Sequence, residues 1–226
     1  DVICLQDTRC SEYSLKGDIF FPAIYHAYFL DHFENPNLNG VCIYCKELPK
    51  AIVWGLGNDT FDPQGLYIQA DYADISIGSI LVPSSIEGGG AIRAKMSFLS
   101  AFSDHLEKIR NKRREFIFCG GWELMASYSD AEESGNAMSL PGLSSDEREW
   151  LLDLYGSGYT DACRINSKMG SGAYTWWPDG DDAGGLRTDT QIVSASLSPK
   201  IVSSSVFVED SFSSHAPVIV NYDIAV

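Results

Sequence analysis

The sequence predicts an α+β fold in which two packed β-sheets carry helices on their outer faces. Three observations predict it. Short runs rich in Val, Ile and aromatic residues recur along the chain, many of them bounded by Gly, Pro, Asn or Asp. Only two stretches carry a helical period. Strand runs therefore outnumber crossover helices, which disfavours a strictly alternating parallel sheet.

Taken in order, strands are expected at 2–6 (VICLQ), 41–46 (VCIYCK), 51–55 (AIVWG), 66–71 (LYIQAD), 75–82 (ISIGSILV) and 115–120 (EFIFCG). Between the last two the period changes. Ile92, Met96, Leu99, Phe102, Leu106 and Ile109 recur at steps of four, three, three, four and three, one face of a five-turn helix. Ser144 with Glu147 three residues on is a capping box ahead of Trp150, Leu151, Leu152 and Leu154, and Gly156 closes that second helix. Extended pieces return at 173–177, 190–194, 200–208 and 217–223, and the Gly- and Asp-rich segment 178–185 reads as a loop. No internal repeat is present.

At 226 residues and 45% hydrophobic, the chain can fill the core of a single domain, 1–226. No apolar run approaches the ~18 residues of a membrane span, and no leader pattern is visible. The start at Asp1, directly in an apolar strand, reads as if an upstream segment were lacking. The charge balance, 16 basic against 31 acidic residues, gives −15. Such a surface repels phosphate, so any role on nucleic acid needs a local basic patch, a metal or a partner. Six Cys are too sparse for a disulfide framework and fit a reducing cytoplasm.

Among candidate chemical groups, Cys42 and Cys45 point to opposite faces of a strand and read as core. The four His form no ligand spacing, and His26 and His32 lie in loop-like sequence. His215 stands at the mouth of a strand just ahead of Pro217, Asp7 follows the strand VICLQ, and Asp189 adjoins QIV, so the three could converge on one pocket. Lys108, Arg110, Lys112, Arg113 and Arg114 place five cations within seven positions, more than a helix terminus requires. Trp176 and Trp177 read as one core anchor and one surface ring.

DVICLQDTR, LYIQADYADISIGSILVPSS, RREFIFCGGWE, YTWWPDG, LRTDTQIVS and SSHAPVIV fall in the order and near the spacing of the segments that define one superfamily. Over nearly all its length the chain resembles the exonuclease III (DNase I-like) branch of the endonuclease/exonuclease/phosphatase proteins. That resemblance implies a four-layer sandwich, helices outside two mixed sheets, and phosphodiester cleavage with Mg²⁺. It also implies that the family's first strand and helix are missing here, so that strand 2–6 would lie inside a sheet beside a gap or a displaced pairing.

Residue by residue the resemblance turns negative. The family's metal-binding Glu is Asp7, a Tyr before the fifth-strand Pro is Leu81, and the GDxN motif reads Gly120-Gly121-Trp122-Glu123. Gly121 has no side chain, and Glu123 sets a negative charge where an anion should sit. The Asp ahead of the terminal His is Ser214, which leaves His215 without the carboxylate that would fix its tautomer. Asp189 survives, but the Trp and aromatic residue that flank this Arg-x-Asp segment in the family are Leu186 and Thr188 here. These losses are similar to those of a subgroup, the catabolite repression control (Crc) proteins. The resemblance to them implies a cytoplasmic, non-enzymatic translational repressor that binds Hfq and A-rich mRNA in a ternary complex, with little affinity for RNA or DNA alone and no membrane. It further implies no catalytic residue and no cofactor, Asp7 being the position for any residual Mg²⁺, and RNA or Hfq contact at Lys108, Arg110, Lys112, Arg113 and Arg114. The alternative is a Mg²⁺-dependent exonuclease III-like phosphodiesterase or AP endonuclease with a site rebuilt from Asp7, Glu123, Asp189 and His215.

Overall fold

Alternating and near-continuous apolar runs become strands in the computed structural model, which describes residues 1–85, 89–132, 141–165, 173–178 and 184–225. The chain divides into two compact units, Asp1–Val82 with Ser97–Gly120, and Pro83–Met96 with Gly121–Ala225.

In the first unit, β1 (Val2–Gln6), β2 (His26–Leu30) and β3 (Val41–Cys45) form an antiparallel sheet in the order β1-β3-β2. β3 is central, and its run VCIYC is apolar on both faces because both are covered: Val41, Cys42, Ile43 and Cys45 are fully buried. β1 is an edge strand of this sheet, hydrogen-bonded to β3. A second sheet runs β4 (Ala51–Trp54), β5 (Tyr67–Asp71), β6 (Ile75–Leu81) and β7 (Glu115–Gly121) in that order. The two sheets meet through polar contacts as well as apolar ones: Gln6 Nε2 donates to Ser79 Oγ at 2.8 Å, and Ser79 Oγ donates to the Leu5 carbonyl at 3.1 Å. Gly120 is required where β7 passes β6, since a Cβ there would stand 2.1 Å from the Ile80 carbonyl oxygen.

The long helix α1 spans Gly89–Ile109, and its face is the one the sequence period marks. Leu99, Phe102, Leu106 and Ile109 are buried. Phe98 meets Phe61 edge-on at 5.3 Å, and Phe102 meets Phe118 in the same way at 5.3 Å. His105 joins this aromatic cluster, 5.3 Å from Tyr67 and stacked on Phe102 at 6.0 Å. Burial lowers its pKa from 6.5 to about 4. The neutral ring is thus favoured by folding, and the stability it supports is present above pH 6.5 and is lost as pH falls through about 4. His105→Phe should therefore show a shallower loss of melting temperature across that window than the parent. Parallel curves would show that the ring is not held neutral.

The second unit contains α2 (Ser145–Gly156), β8 (Tyr159–Asp161), α3 (Ala162–Ile165), β9 (Asp189–Ser194), β10 (Ile201–Val206) and β11 (Val218–Tyr222). β8 pairs with β9, and β10 with β11, both antiparallel. The capping box that predicts α2 is formed in full: Ser144 Oγ accepts from Glu147 N at 3.3 Å, and Glu147 Oε2 accepts from Ser144 N at 3.0 Å. Trp122, Met125, Leu151, Leu154 and Ile192 are buried in this unit. The first turns of α1, through Met96, also belong to it.

Two expectations need correction. The segment around His26 is β2, not a loop: HAYFL has little alternation of its own, and its pairing with Val41–Cys45 supplies the order. The run 173–177 is not a strand; Trp176 makes isolated bridges to Leu186 and His215. The short elements β8 and α3 carry too few residues to show a period. Of the loop expected at 178–185, residues 179–183 lie outside the described residues. Among the described residues, no helix is long and apolar enough to cross a membrane.

Candidate active site

Two extended pieces of the second unit present a histidine to a carboxylate. Trp177 N donates to the Ser214 carbonyl at 3.0 Å and Ala216 N to the Thr175 carbonyl at 2.8 Å, so the segment carrying His215 is held against 175–177. The Trp176 ring then stacks on the imidazole at 5.3 Å with planes 12° apart. β9 begins at Asp189, whose Oδ2 lies 2.9 Å from His215 Nδ1. The same oxygen accepts from Thr175 Oγ1 at 2.7 Å and from Thr188 Oγ1 at 3.1 Å. Thr175 Oγ1 in turn accepts from the backbone N–H of Thr188 and of Asp189, each at 3.0 Å. The buried Thr175 is thus a node that fixes Asp189, and Asp189 fixes the ring of His215.

This arrangement corrects the expectation that His215 has lost its carboxylate. Ser214, next in sequence, is not where the partner would come from; Asp189, on another strand, holds Nδ1. Asp189 and His215 do converge, as expected. Asp7 lies in the first unit, where its carboxylate takes a forked hydrogen bond from Arg9 Nε, 3.0 Å to each oxygen, and an ion pair at 2.7 Å.

Glu123, which the sequence resemblance sets against the family's Asn, follows the end of β7 at Gly121. It has φ of +48°, a left-handed conformation that costs a residue other than Gly ~1 kcal/mol, and it is held by Glu123 N donating to the Thr188 carbonyl at 3.1 Å. Its carbonyl accepts from the buried Lys95 ammonium at 2.5 Å. Burial raises the Glu123 carboxyl above the usual range, the Ser84 hydroxyl, Lys95 and His215 draw it back, and Asp189 adds to the rise. Gly121 ends β7 without a side chain, as the sequence requires.

The basic run divides. Arg114 is structural: it pairs with Asp71 at 2.7 Å and donates to the Tyr72 carbonyl at 2.7 Å. Arg110 pairs with Glu107 on the surface at 3.2 Å. Lys108, Lys112 and Arg113 are exposed.

Sequence reasoning missed Thr175 and Lys95. Lys95 left a legible signal, a cation inside the apolar stripe between Ile92 and Leu99. Thr175 left none, because its role depends on the pairing of 175–177 with Leu186 and Ser214, far apart in sequence.

The donors here do not suit Mg²⁺, which the resemblance implies. Asp189 Oδ2 is already occupied by three donors, and Glu123 Oε2 is buried without a hydrogen-bond partner. Among the described residues no group of three or more His, Cys, Asp or Glu side chains is placed to hold a metal ion. The described residues do not form a cation cage.

No family model matches the chain. It is 28% identical to recombination repair protein 1 of Drosophila melanogaster over 99% of its own length, spanning 33% of that protein. It is 26% identical to the DNA repair nuclease APEX1 of Danio rerio, with 96% of the chain and 72% of the relative covered. To the exodeoxyribonuclease of Bacillus subtilis it is 25% identical, with 96% and 86% covered. An AP endonuclease structure from Archaeoglobus fulgidus superposes with a TM-score of 0.84 at 20% identity, over 99% of this chain and 89% of the other. The fold is thus the exonuclease III/DNase I-like α+β sandwich. In fold and in sequence the chain is similar to exonuclease III and AP endonuclease proteins, and none of these relatives is a Crc protein by name. The expectation of a non-enzyme is overturned by the same relatives, two of which are nucleases by name.

Proposed function

We propose that the chain is a phosphodiesterase of the exonuclease III type acting on nucleic acid, with a site rebuilt around His215, Asp189 and Glu123. The observation that carries this reading is the Asp189–His215 pair, buttressed by Thr175 and stacked on Trp176. With Nδ1 committed to Asp189, chemistry at the ring falls to Nε2, which in the protonated ring donates to a non-bridging phosphate oxygen and stabilises charge as it builds. Asp189 supplies the counter-charge, and the indole face adds a cation–π contribution. Glu123, its proton affinity raised by burial, accepts the proton of an attacking water as the new P–O bond forms and the bond to the leaving alkoxide breaks. The test is hydrolysis of an abasic-site duplex and of bis(p-nitrophenyl) phosphate, with Mg²⁺ and with EDTA. Turnover lost in His215→Ala supports the reading, and an inert parent protein in every condition rejects it.

Contact with Hfq and A-rich mRNA is a second proposal, compatible with an enzyme. It is favoured by the exposure of Lys108, Lys112 and Arg113 in a chain of net charge −15, and it no longer includes Arg114. Mixing the three components should give a ternary band shift that Lys112→Glu with Arg113→Glu abolishes and Arg110→Glu changes little. A missing shift counts against it.

A further inference from the structure

Lys95 has no part in the hydrolysis just outlined, yet its side chain is fully buried. Its ammonium donates to the Glu123 carbonyl at 2.5 Å and pairs with Glu147 Oε1 at 2.7 Å. Glu147 is itself immobilised by the capping box of α2 and by the Ser85 hydroxyl, which donates to Oε1 at 3.2 Å. Lys95 and the other donors hold the Glu147 carboxyl below the usual range against the opposing effect of burial.

An ion pair enclosed in this way is an inefficient stabiliser, because two apolar residues of the same volume would often do as well or better. What apolar residues could not do is bring a charged donor to one particular carbonyl. That carbonyl belongs to the non-glycine residue with φ of +48° whose carboxyl senses both Asp189 and His215. Gly142 also packs against this carbonyl: a Cβ there would come within 2.3 Å of the Glu123 oxygen, and Met125 N donates to the Gly142 carbonyl at 2.9 Å.

We propose that Lys95, anchored by Glu147, is a positioning residue that pins the Glu123 backbone in its left-handed conformation and so aims the Glu123 carboxyl at the Asp189–His215 pair. The catalytic half of this inference rests on the phosphodiesterase reading; the pinning does not. Lys95→Met alone strands the Glu147 carboxylate in the interior and is expected to lower the melting temperature steeply. The informative variant is Lys95→Met with Glu147→Gln, which removes both charges and keeps a side chain able to complete the capping box.

Amide hydrogen exchange in this variant, without substrate, should speed up ~10-fold at Glu123 and Met125 while Ile192 and Val193 on β9 stay unchanged. On bis(p-nitrophenyl) phosphate its kcat should fall ~10²-fold at an unaltered KM. Unchanged exchange at Glu123 and Met125 overturns the pinning whether or not the parent protein hydrolyses anything. Faster exchange with an unchanged kcat overturns the positioning role. A parent protein that hydrolyses nothing rejects the phosphodiesterase reading instead, and the exchange data alone then decide the pinning.

Discussion

Asp189→Ala is expected to slow phosphodiester turnover by ~10³-fold, and Asp189→Asn by only ~10-fold. The order follows from which oxygen does the work. Thr175 Oγ1, Thr188 Oγ1 and His215 Nδ1 all direct their hydrogens at Oδ2, at 2.7, 3.1 and 2.9 Å. An asparagine carbonyl placed there accepts the same three hydrogen bonds, so the imidazole keeps its proton on Nδ1 and its orientation. What the amide removes is the counter-charge that supports a protonated ring. Alanine removes the counter-charge, the tautomer control and the acceptor for two threonine hydroxyls together. Steady-state rates for parent, Asn and Ala proteins at several pH values separate the cases. If the asparagine protein is as slow as the alanine protein, its side chain has turned its NH₂ toward the ring, and the threonines do not set the amide's orientation.

The same site shows what a sequence can and cannot disclose. Asp189 and His215 were both identifiable, each beside an apolar strand, and so were the strands themselves and the capping box of α2. Their pairing was not legible. Adjacency in the chain points to Ser214 as the partner position of His215, whereas the partner sits 26 residues away at the start of β9. Glu123 was visible as a departure from a motif, but its effect depends on burial and on a left-handed backbone, neither of which follows from residue type. Arg114 shows the converse. Its place in a basic run suggests a ligand, yet the turn between β5 and β6 offers it Asp71 and two carbonyls. Local period discloses elements; contacts between elements far apart in sequence decide what each charged side chain does.

The largest loss of stability is expected from Asp161→Ala. Asp161 ends β8 and is 4% exposed. It accepts from Cys163 N at 2.8 Å, Arg164 Nε at 3.0 Å, Arg187 Nη2 at 3.2 Å and the Thr190 hydroxyl. Removing its carboxylate leaves the largely buried guanidinium of Arg187 with Asp130 at 4.0 Å as its remaining ion-pair partner, and loosens the start of α3. Breaking one side of a buried pair in this way costs ~3–5 kcal/mol. Arg164 retains its close pair with Asp130 at 2.6 Å, so the penalty should come mainly from Arg187. Asp161→Ala combined with Arg187→Leu removes the stranded charge and should recover part of the loss, and that recovery is the discriminating result. Urea unfolding of the single and double variants measures it. A double variant no more stable than Asp161→Ala would mean that the carboxylate acts through Cys163 and Thr190 rather than through the guanidinium. Because Arg187 and Asp189 flank Thr188, whose hydroxyl reaches Oδ2, the single variant should also lose turnover even at urea concentrations where it remains folded.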